Sequence, residues 1–329
     1  MYQPDNYAMA LLFMISSMFC WGSWANTVKL APNYRFQLFY WDYVIGLVLG
    51  ALAWGLSLGS FGSAGLPLIT DMLHASAPQI ALALVGGIIF NAANLLLVVA
   101  TEMAGLAVAF PIGIGIALVL GAAISYVVAP GGNFILLFGG IGLVLAAILC
   151  DAAAYRKRDP SGKAISTRAV SICAAAGILM GMFYPFVAKA MSGQDGLGPY
   201  ATAMFFAVGV ALCNPPMNFY FSRHPLDGKP PIAAKAYLQV PKSWHFCGLL
   251  GGLIWCTGAV LNFSASGVHF VGPAVSYSIG QGATMISAAW GVFVWKEFSG
   301  APRQSKQLLS IMFILFLSGL TAIALAPIF

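Results

Sequence analysis

Charge is what this sequence has least of. Of 329 residues only 24 are charged, 15 Lys or Arg and 9 Asp or Glu, while 60% are hydrophobic. An ordinary soluble domain is about a quarter charged. Two dozen charged side chains cannot cover the surface of a soluble protein this long, and the mean hydropathy of +0.88 agrees. A soluble enzyme, a nucleic-acid-binding protein and a secreted disulfide scaffold are therefore excluded, and the chain reads as a polytopic membrane protein. The six cysteines, Cys20, Cys150, Cys173, Cys213, Cys247 and Cys256, form no CxxC pair and no His/Cys cluster with metal spacing. All lie in or beside apolar segments, where Cys behaves as a small hydrophobe. HExxH, paired acids on one span and a Ser/His pair at membrane depth are all missing, which argues against a membrane enzyme. No cofactor or metal is expected.

What the chain has in abundance is apolar runs. A bilayer core about 30 Å thick needs about 20 apolar residues in a helix. Ten segments qualify, near 7–28, 36–57, 79–100, 105–127, 134–154, 168–189, 199–220, 243–265, 271–294 and 306–327. The first has no basic residue ahead of it and exceeds a signal-peptide core, so it reads as a span. Fourteen of the 15 basic residues fall in alternate loops or at the span ends beside them, from Lys29 and Arg35 to Arg303 and Lys306; only Lys189 falls on the other side. Positive charge marks the cytoplasmic face. The expectation is a cell (inner) membrane protein with basic loops inside and both termini outside. Its surroundings are the lipid bilayer, and no oligomer is required.

The two halves resemble each other. Residues 105–115, GLAVAFPIGIG, match 272–282, GPAVSYSIGQG, at six of eleven positions. GGIIF at 86–90 matches GGLIW at 251–255, and Lys29 and Lys189 end comparable spans, with Trp24 opposite Tyr184. An odd number of spans per half inverts the second half. The expected fold is therefore all-α, ten transmembrane helices as two inverted five-helix repeats. Residues 1–155 form the first repeat, 156–167 a cytoplasmic linker and 168–329 the second repeat. Inverted repeats suit alternating access around a midplane site.

The segments FCWGSWANTVK (19–29), FYWDYVIGLVLG (39–50) and GGIIFNAANLLLVVATEMAGLAVAFPIGIGIALVLGAAISYVV (86–128) resemble the drug/metabolite transporter superfamily. Within it they are similar to the ureide permeases, which grade into the glucose/rhamnose porter group. The Tyr-x-Asp-Tyr pattern around Asp42 and the Asn-rich third span favour the ureide side. Plant ureide permeases carry a long central cytoplasmic loop, and here that loop is short. The resemblance implies proton-coupled uptake of a small polar solute, with H⁺ as the coupling ion. Sugar uptake and drug or metabolite export by the same fold are the alternatives.

Polar groups at membrane depth are costly and mark candidate sites. Asp42 lies seven residues past Arg35, about 10 Å along a helix, and is the candidate for proton coupling as well as substrate contact. The competing role is a shallow structural acid paired with a nearby Lys or Arg. Asn91 and Asn94 share one helix face and suit a neutral, multiply hydrogen-bonding solute. Inter-helix hydrogen bonds would explain them equally. Tyr277, Ser278 and Gln281 make the ninth span polar where its counterpart offers Phe110, Pro111 and Ile114. Trp21 and Trp24, followed by Asn26, would give a flat wall with an amide beside it, although Trp24 could also belong to an interfacial aromatic belt. Tyr184, before Pro185, holds the matching place in the sixth span, and Pro185 could break that helix. Lys29 could snorkel or pair with an acid on the same side as a gate, for which Glu102, in the turn between the third and fourth spans, is the candidate. His224 and His245 flank one cytoplasmic loop.

Overall fold

A computed structural model describes residues 1–158, 166–225 and 230–329. Most of the linker 156–167, with Lys163, lies outside these residues, as does Lys229. The side chains of Glu102 and Phe110 are also outside the description. The described residues are all-helical, with no strand. They run as α1 (Tyr7–Ser23), α2 (Asn26–Lys29), α3 (Phe36–Leu56), α4 (Leu68–His74), α5 (Ala77–Ala104), α6 (Leu106–Ala109), a π turn (Phe110–Ile114), α7 (Gly115–Val128) and α8 (Phe134–Arg158). Then follow α9 (Thr167–Ala190), α10 (Pro199–Arg223), a 3₁₀ helix (Ala234–Gln239), α11 (Lys242–Ser266), α12 (Pro273–Gly280), α13 (Ala283–Ala289), a second π turn (Trp290–Val294) and α14 (Arg303–Leu325).

Nine helical stretches among the described residues are long and apolar enough to cross a membrane. Each coincides with an expected span. The expected span 271–294 is instead divided: α12 ends at Gly280, a turn follows at Gln281 and Gly282, and α13 continues into a π turn. The stretch at 105–127 is irregular at the matching place, with its π turn at Phe110–Ile114. Both segments begin on a glycine with positive φ, Gly105 at 75° and Gly272 at 80°. A side chain with Cβ rarely adopts that conformation, so these two residues set how each segment enters the bundle. The loop 58–78 is not structureless, since it carries α4, whose Asp71 accepts the Gly198 N–H at 2.9 Å.

Helix starts follow local chemistry. The Asn6 side chain caps α1 by accepting Met9 N–H at 2.9 Å, and Ser166 caps α9 through Ala169 N–H at 3.2 Å. Proline sits in the first turn of α5, α10 and α12, where its missing N–H is no loss. Pro185 does not break α9, which runs on to Ala190.

The bundle is held by close pairings of α5 with α9 and α10, of α11 with α3 and α1, and of α8 with α14; α7 packs on α9, and α3 on α10. Glycines make the tightest crossings. A Cβ on Gly252 of α11 would lie 1.9 Å from Tyr43 O of α3, and one on Gly46 of α3 would lie 2.1 Å from Leu249 O. In the other crossing, a Cβ on Gly87 of α5 would lie 2.1 Å from Phe206 O of α10, and one on Gly209 would lie 2.2 Å from Leu84 O. Only glycine permits such backbone contact between helices.

Candidate functional site: an aromatic cavity and a buried carboxylate

A cavity of about 440 Å³ opens between α1, α5, α9, α11 and the α12–α13 turn. That size suits a small organic ligand. Its walls are aromatic: Trp21 and Trp24 from α1 and its end, Phe90 from α5, Phe183 from α9 and Trp255 from α11. The two indoles Trp21 and Trp255 stack at 5.8 Å, and Phe90 packs 4.2 Å from the Trp255 ring. Polar groups are few and lie between these faces, among them Asn26, Asn94, Thr101, Gln281, Thr284 and Ser287, with Tyr155 toward the mouth. Asn94 donates to the Tyr40 hydroxyl at 3.2 Å. The Asn26 carbonyl oxygen accepts the Trp295 indole N–H at 2.6 Å. Gln281 stands at the turn that divides α12 from α13.

Behind the wall the packing is closed and aromatic. Phe206 stacks on Trp255 at 5.7 Å, and Tyr184 packs on Tyr277 at 4.8 Å and on Phe263 at 5.9 Å. Tyr184 donates to the Asn262 side-chain oxygen at 2.5 Å, and Tyr277 donates to Ala117 O at 2.9 Å. Both tyrosines are fully buried.

The mouth of the cavity is charged. Lys29 at the end of α2 contacts Glu297 at 2.6 Å, and Tyr155 and Arg158 of α8 reach the same carboxylate at 3.1 and 3.4 Å. Burial pushes the Glu297 carboxyl up, but Lys29, Tyr155 and Arg158 together hold it below its usual value. Lys29 also lies over the Trp295 ring. The acid that meets Lys29 is thus Glu297, 268 residues away in sequence.

Asp42 is elsewhere. It is 2% exposed and sits on the face of α3 turned to the loops at the basic end. The Tyr34 hydroxyl donates to Oδ2 at 2.5 Å, and the Tyr237 hydroxyl of the 3₁₀ helix donates to Oδ1 at 2.5 Å. His245 of α11 brings Nδ1 to 2.9 Å from Oδ2 and 3.1 Å from Oδ1. Burial first, and then the adjacent Asp42 carboxylate, push both tyrosine hydroxyls well above their usual range, so they stay protonated donors.

Of the residues singled out from sequence, the cavity brings together Trp21, Trp24, Asn26, Asn94 and Gln281. Tyr184 and Tyr277 form the packing behind it. Asn91 and Ser278 are buried outside its lining, and Asn91 Oδ1 and Ser278 Oγ make no hydrogen bond among the described residues. Asp42 is outside the lining too, although α3 links the regions: Tyr40 meets Asn94, and Tyr43 packs 4.8 Å from Trp24. Sequence reasoning missed Phe90 and Trp255 as walls. The signal was there, since GGIIF and GGLIW each end on an aromatic. It also missed His245 and Tyr237 as partners of Asp42, for which the sequence carries no periodic signal.

No family model matches the chain. It is 23% identical to Ureide permease 2 of Arabidopsis thaliana in an alignment of 397 positions that covers 98% of each protein. A solved crystal structure, described simply as that of a protein, superposes with a TM-score of 0.64 over 96% of each chain at 15% identity, a likeness of fold. The full-length similarity and the apolar helices support a multi-pass membrane protein of permease type, a transporter rather than an enzyme.

Proposed function

We propose that this protein is a secondary active transporter for a small, polar, neutral solute, ureide or nucleobase-like, working by alternating access. The observation that carries this reading is the cavity itself. Its walls are flat aromatic faces, its polar groups are mainly amides and hydroxyls, and among the described residues its charged lining is Lys29 and Glu297, paired with each other at the mouth. A planar solute with several donors and acceptors fits such walls, whereas an ion would lack an unpaired countercharge. The relative named Ureide permease 2 points the same way. Sugar uptake is the second reading, favoured by the stacked Trp21 and Trp255, which would also suit a sugar ring.

Alternating access is proposed on two inverted five-helix repeats, 1–155 and 168–329, with ten spans and both termini outside. The glycine crossings support it. Leu84 and Gly87 correspond to Leu249 and Gly252 at one offset of 165 residues, and Tyr43 and Gly46 to Phe206 and Gly209 at one of 163. The α5–α10 and α3–α11 crossings thus repeat each other contact for contact. With the cavity open beside Lys29 and closed behind Tyr184 and Tyr277, this state faces the cytoplasm.

Asp42 is the proposed proton-coupling residue. Its place on α3 beside Tyr40, which meets Asn94, and Tyr43, which packs on Trp24, links it to the cavity wall, and His245 Nδ1 lies 2.9 Å from it. Thermal denaturation of the purified protein against allantoin, uracil, glucose, rhamnose and simple amines tests the substrate class, because a ligand that binds the folded form raises its apparent stability. Stabilisation by the ureide or nucleobase is expected; stabilisation by amines alone overturns the proposal. Asp42→Asn should abolish accumulation against a gradient while retaining exchange between equilibrated compartments. An Asn variant that still concentrates substrate on an imposed pH gradient removes Asp42 from the coupling step.

A further inference from the structure

A second cavity, about 470 Å³, lies outside the bundle between the basic-end segments of α3 and α10, roofed by the 3₁₀ helix and the strand of chain before it. Its walls are Leu38, Trp41 and Ile45 of α3 and Phe219 of α10, with Arg223 at the rim and Tyr237 in the roof. Trp41 and Phe219 meet edge to face at 5.2 Å. Ile45 and Phe219 are 47% and 45% exposed, so the groove faces outward rather than into the protein. α3 begins at Phe36, so Ile45 lies about 13 Å below its start at 1.5 Å per residue. That depth carries the groove from headgroup level into the acyl region of one leaflet.

We infer that this groove is a binding site for one anionic phospholipid, with its headgroup at Arg223 and Arg35 and an acyl chain along Leu38, Trp41, Ile45 and Phe219. Charge complementarity selects the lipid. Arg35 stands one turn before Leu38, just outside the groove's lining, and its Nη1 donates to Pro230 O at 3.3 Å, which holds its charge beside the roof. An exposed guanidinium such as that of Arg223 pairs with phosphate oxygens. Lys235 and Lys242 add positive charge to the same segment. The roof is held in place by Ile232 N–H on Ser222 O at 2.9 Å, and its Leu238 is 83% exposed, an apolar exterior that a bilayer covers. Basic pockets between helices on the cytoplasmic side take anionic headgroups in this way. Tyr237 belongs both to the roof and to the Asp42 cluster, so the lipid bears on the residue that donates to Asp42.

The test is lipid retention by the purified full-length protein in native mass spectrometry, with dioleoyl phosphatidylglycerol or phosphatidylcholine added at equal concentration. It reads lipid alone and stands apart from any transport result. Wild type should retain phosphatidylglycerol in preference, and each of Arg35→Gln and Arg223→Gln should reduce that preference about fivefold. Arg168→Gln, at an exposed position at the start of α9, should leave it unchanged. Ile45→Trp, at an outward-facing position, should fill the groove and lower retention of both lipids. Equal retention of the two lipids by wild type overturns the inference. So does an unchanged preference in the two arginine variants, or an equal loss in Arg168→Gln, which would indicate net charge alone.

Discussion

At Asp42 both carboxylate oxygens are taken, by two tyrosine hydroxyls and by His245. At the cavity wall the Gln281 side chain makes no hydrogen bond among those described, and Asn94 uses one N–H on Tyr40. Both regions are polar islands in an apolar bundle, where an unsatisfied group is expensive. The first is saturated by the chain itself and ties together the loop after α2, the helix α3, the 3₁₀ helix and α11. The second is left with bonding capacity facing an open volume. A saturated knot holds a conformation; an unsaturated wall waits for a solute. Stability should therefore answer to mutation in the first region, and recognition in the second.

The largest expected effect is at the knot. Asp42→Ala removes the acceptor of two tyrosine hydroxyls and the partner of His245 at once, and the folded state should lose about 3 kcal/mol. Thermal or denaturant unfolding in detergent measures it, and a loss below about 1 kcal/mol would mean that the donors find water or other partners. The cavity should behave in the opposite manner. Gln281→Leu removes no internal bond, so stability should stay within about 0.5 kcal/mol, while affinity for the solute identified by thermal shift should fall about tenfold. If instead stability falls and affinity holds, Gln281 is a packing residue and the contrast fails.

The smallest effect is expected at the mouth. The Glu297 side chain is 24% exposed and faces Lys29 at 44%. Solvent screening leaves such a pair less than about 1 kcal/mol. Because the Glu297 pKa is held below its ordinary value of 4.5, its contribution is full above that pH and is lost as pH falls through the lowered value. Melting temperatures of wild type and Glu297→Gln should therefore differ by a constant small amount from pH 5 to 8, and converge only in stronger acid. A difference that varies between pH 5 and 8 would put another titrating group at the mouth.

The difference between the two regions also explains what could be read in the sequence. Nine of the apolar runs became helices at nearly the expected ends, because twenty apolar residues admit little else in a bilayer. The run at 271–294 is apolar enough in composition, yet Gly272, Gly280 and Gly282 divide it, and hydropathy does not register backbone breaks. Half of the site was legible for a similar reason. Trp21, Trp24, Asn26, Asn94 and Gln281 are unusual residues for their depth, and depth follows from span boundaries. The partnerships were not legible. His245 lies 203 residues from Asp42 and Glu297 lies 268 from Lys29. Each pairing depends on which loops fold together, and nothing periodic encodes that. Glu102 is the candidate that topology offers Lys29, since its turn shares a side with it, but a shared side does not say which loops meet.

The glycine crossings have a mechanical consequence. Where Gly46 and Gly252 bring α3 onto α11, and Gly87 and Gly209 bring α5 onto α10, no side chains mesh at the point of contact. Interlocked side chains resist turning, since each must leave its groove before its neighbour can move. Bare backbone against bare backbone has no teeth to disengage. Each crossing therefore fixes the separation of its two helices at one point without interlocking them there. On the α3–α11 pair the resistance to turning comes instead from side chains on either side of that point, His245 on Asp42 at one end and the Trp54 indole N–H on Thr257 at the other.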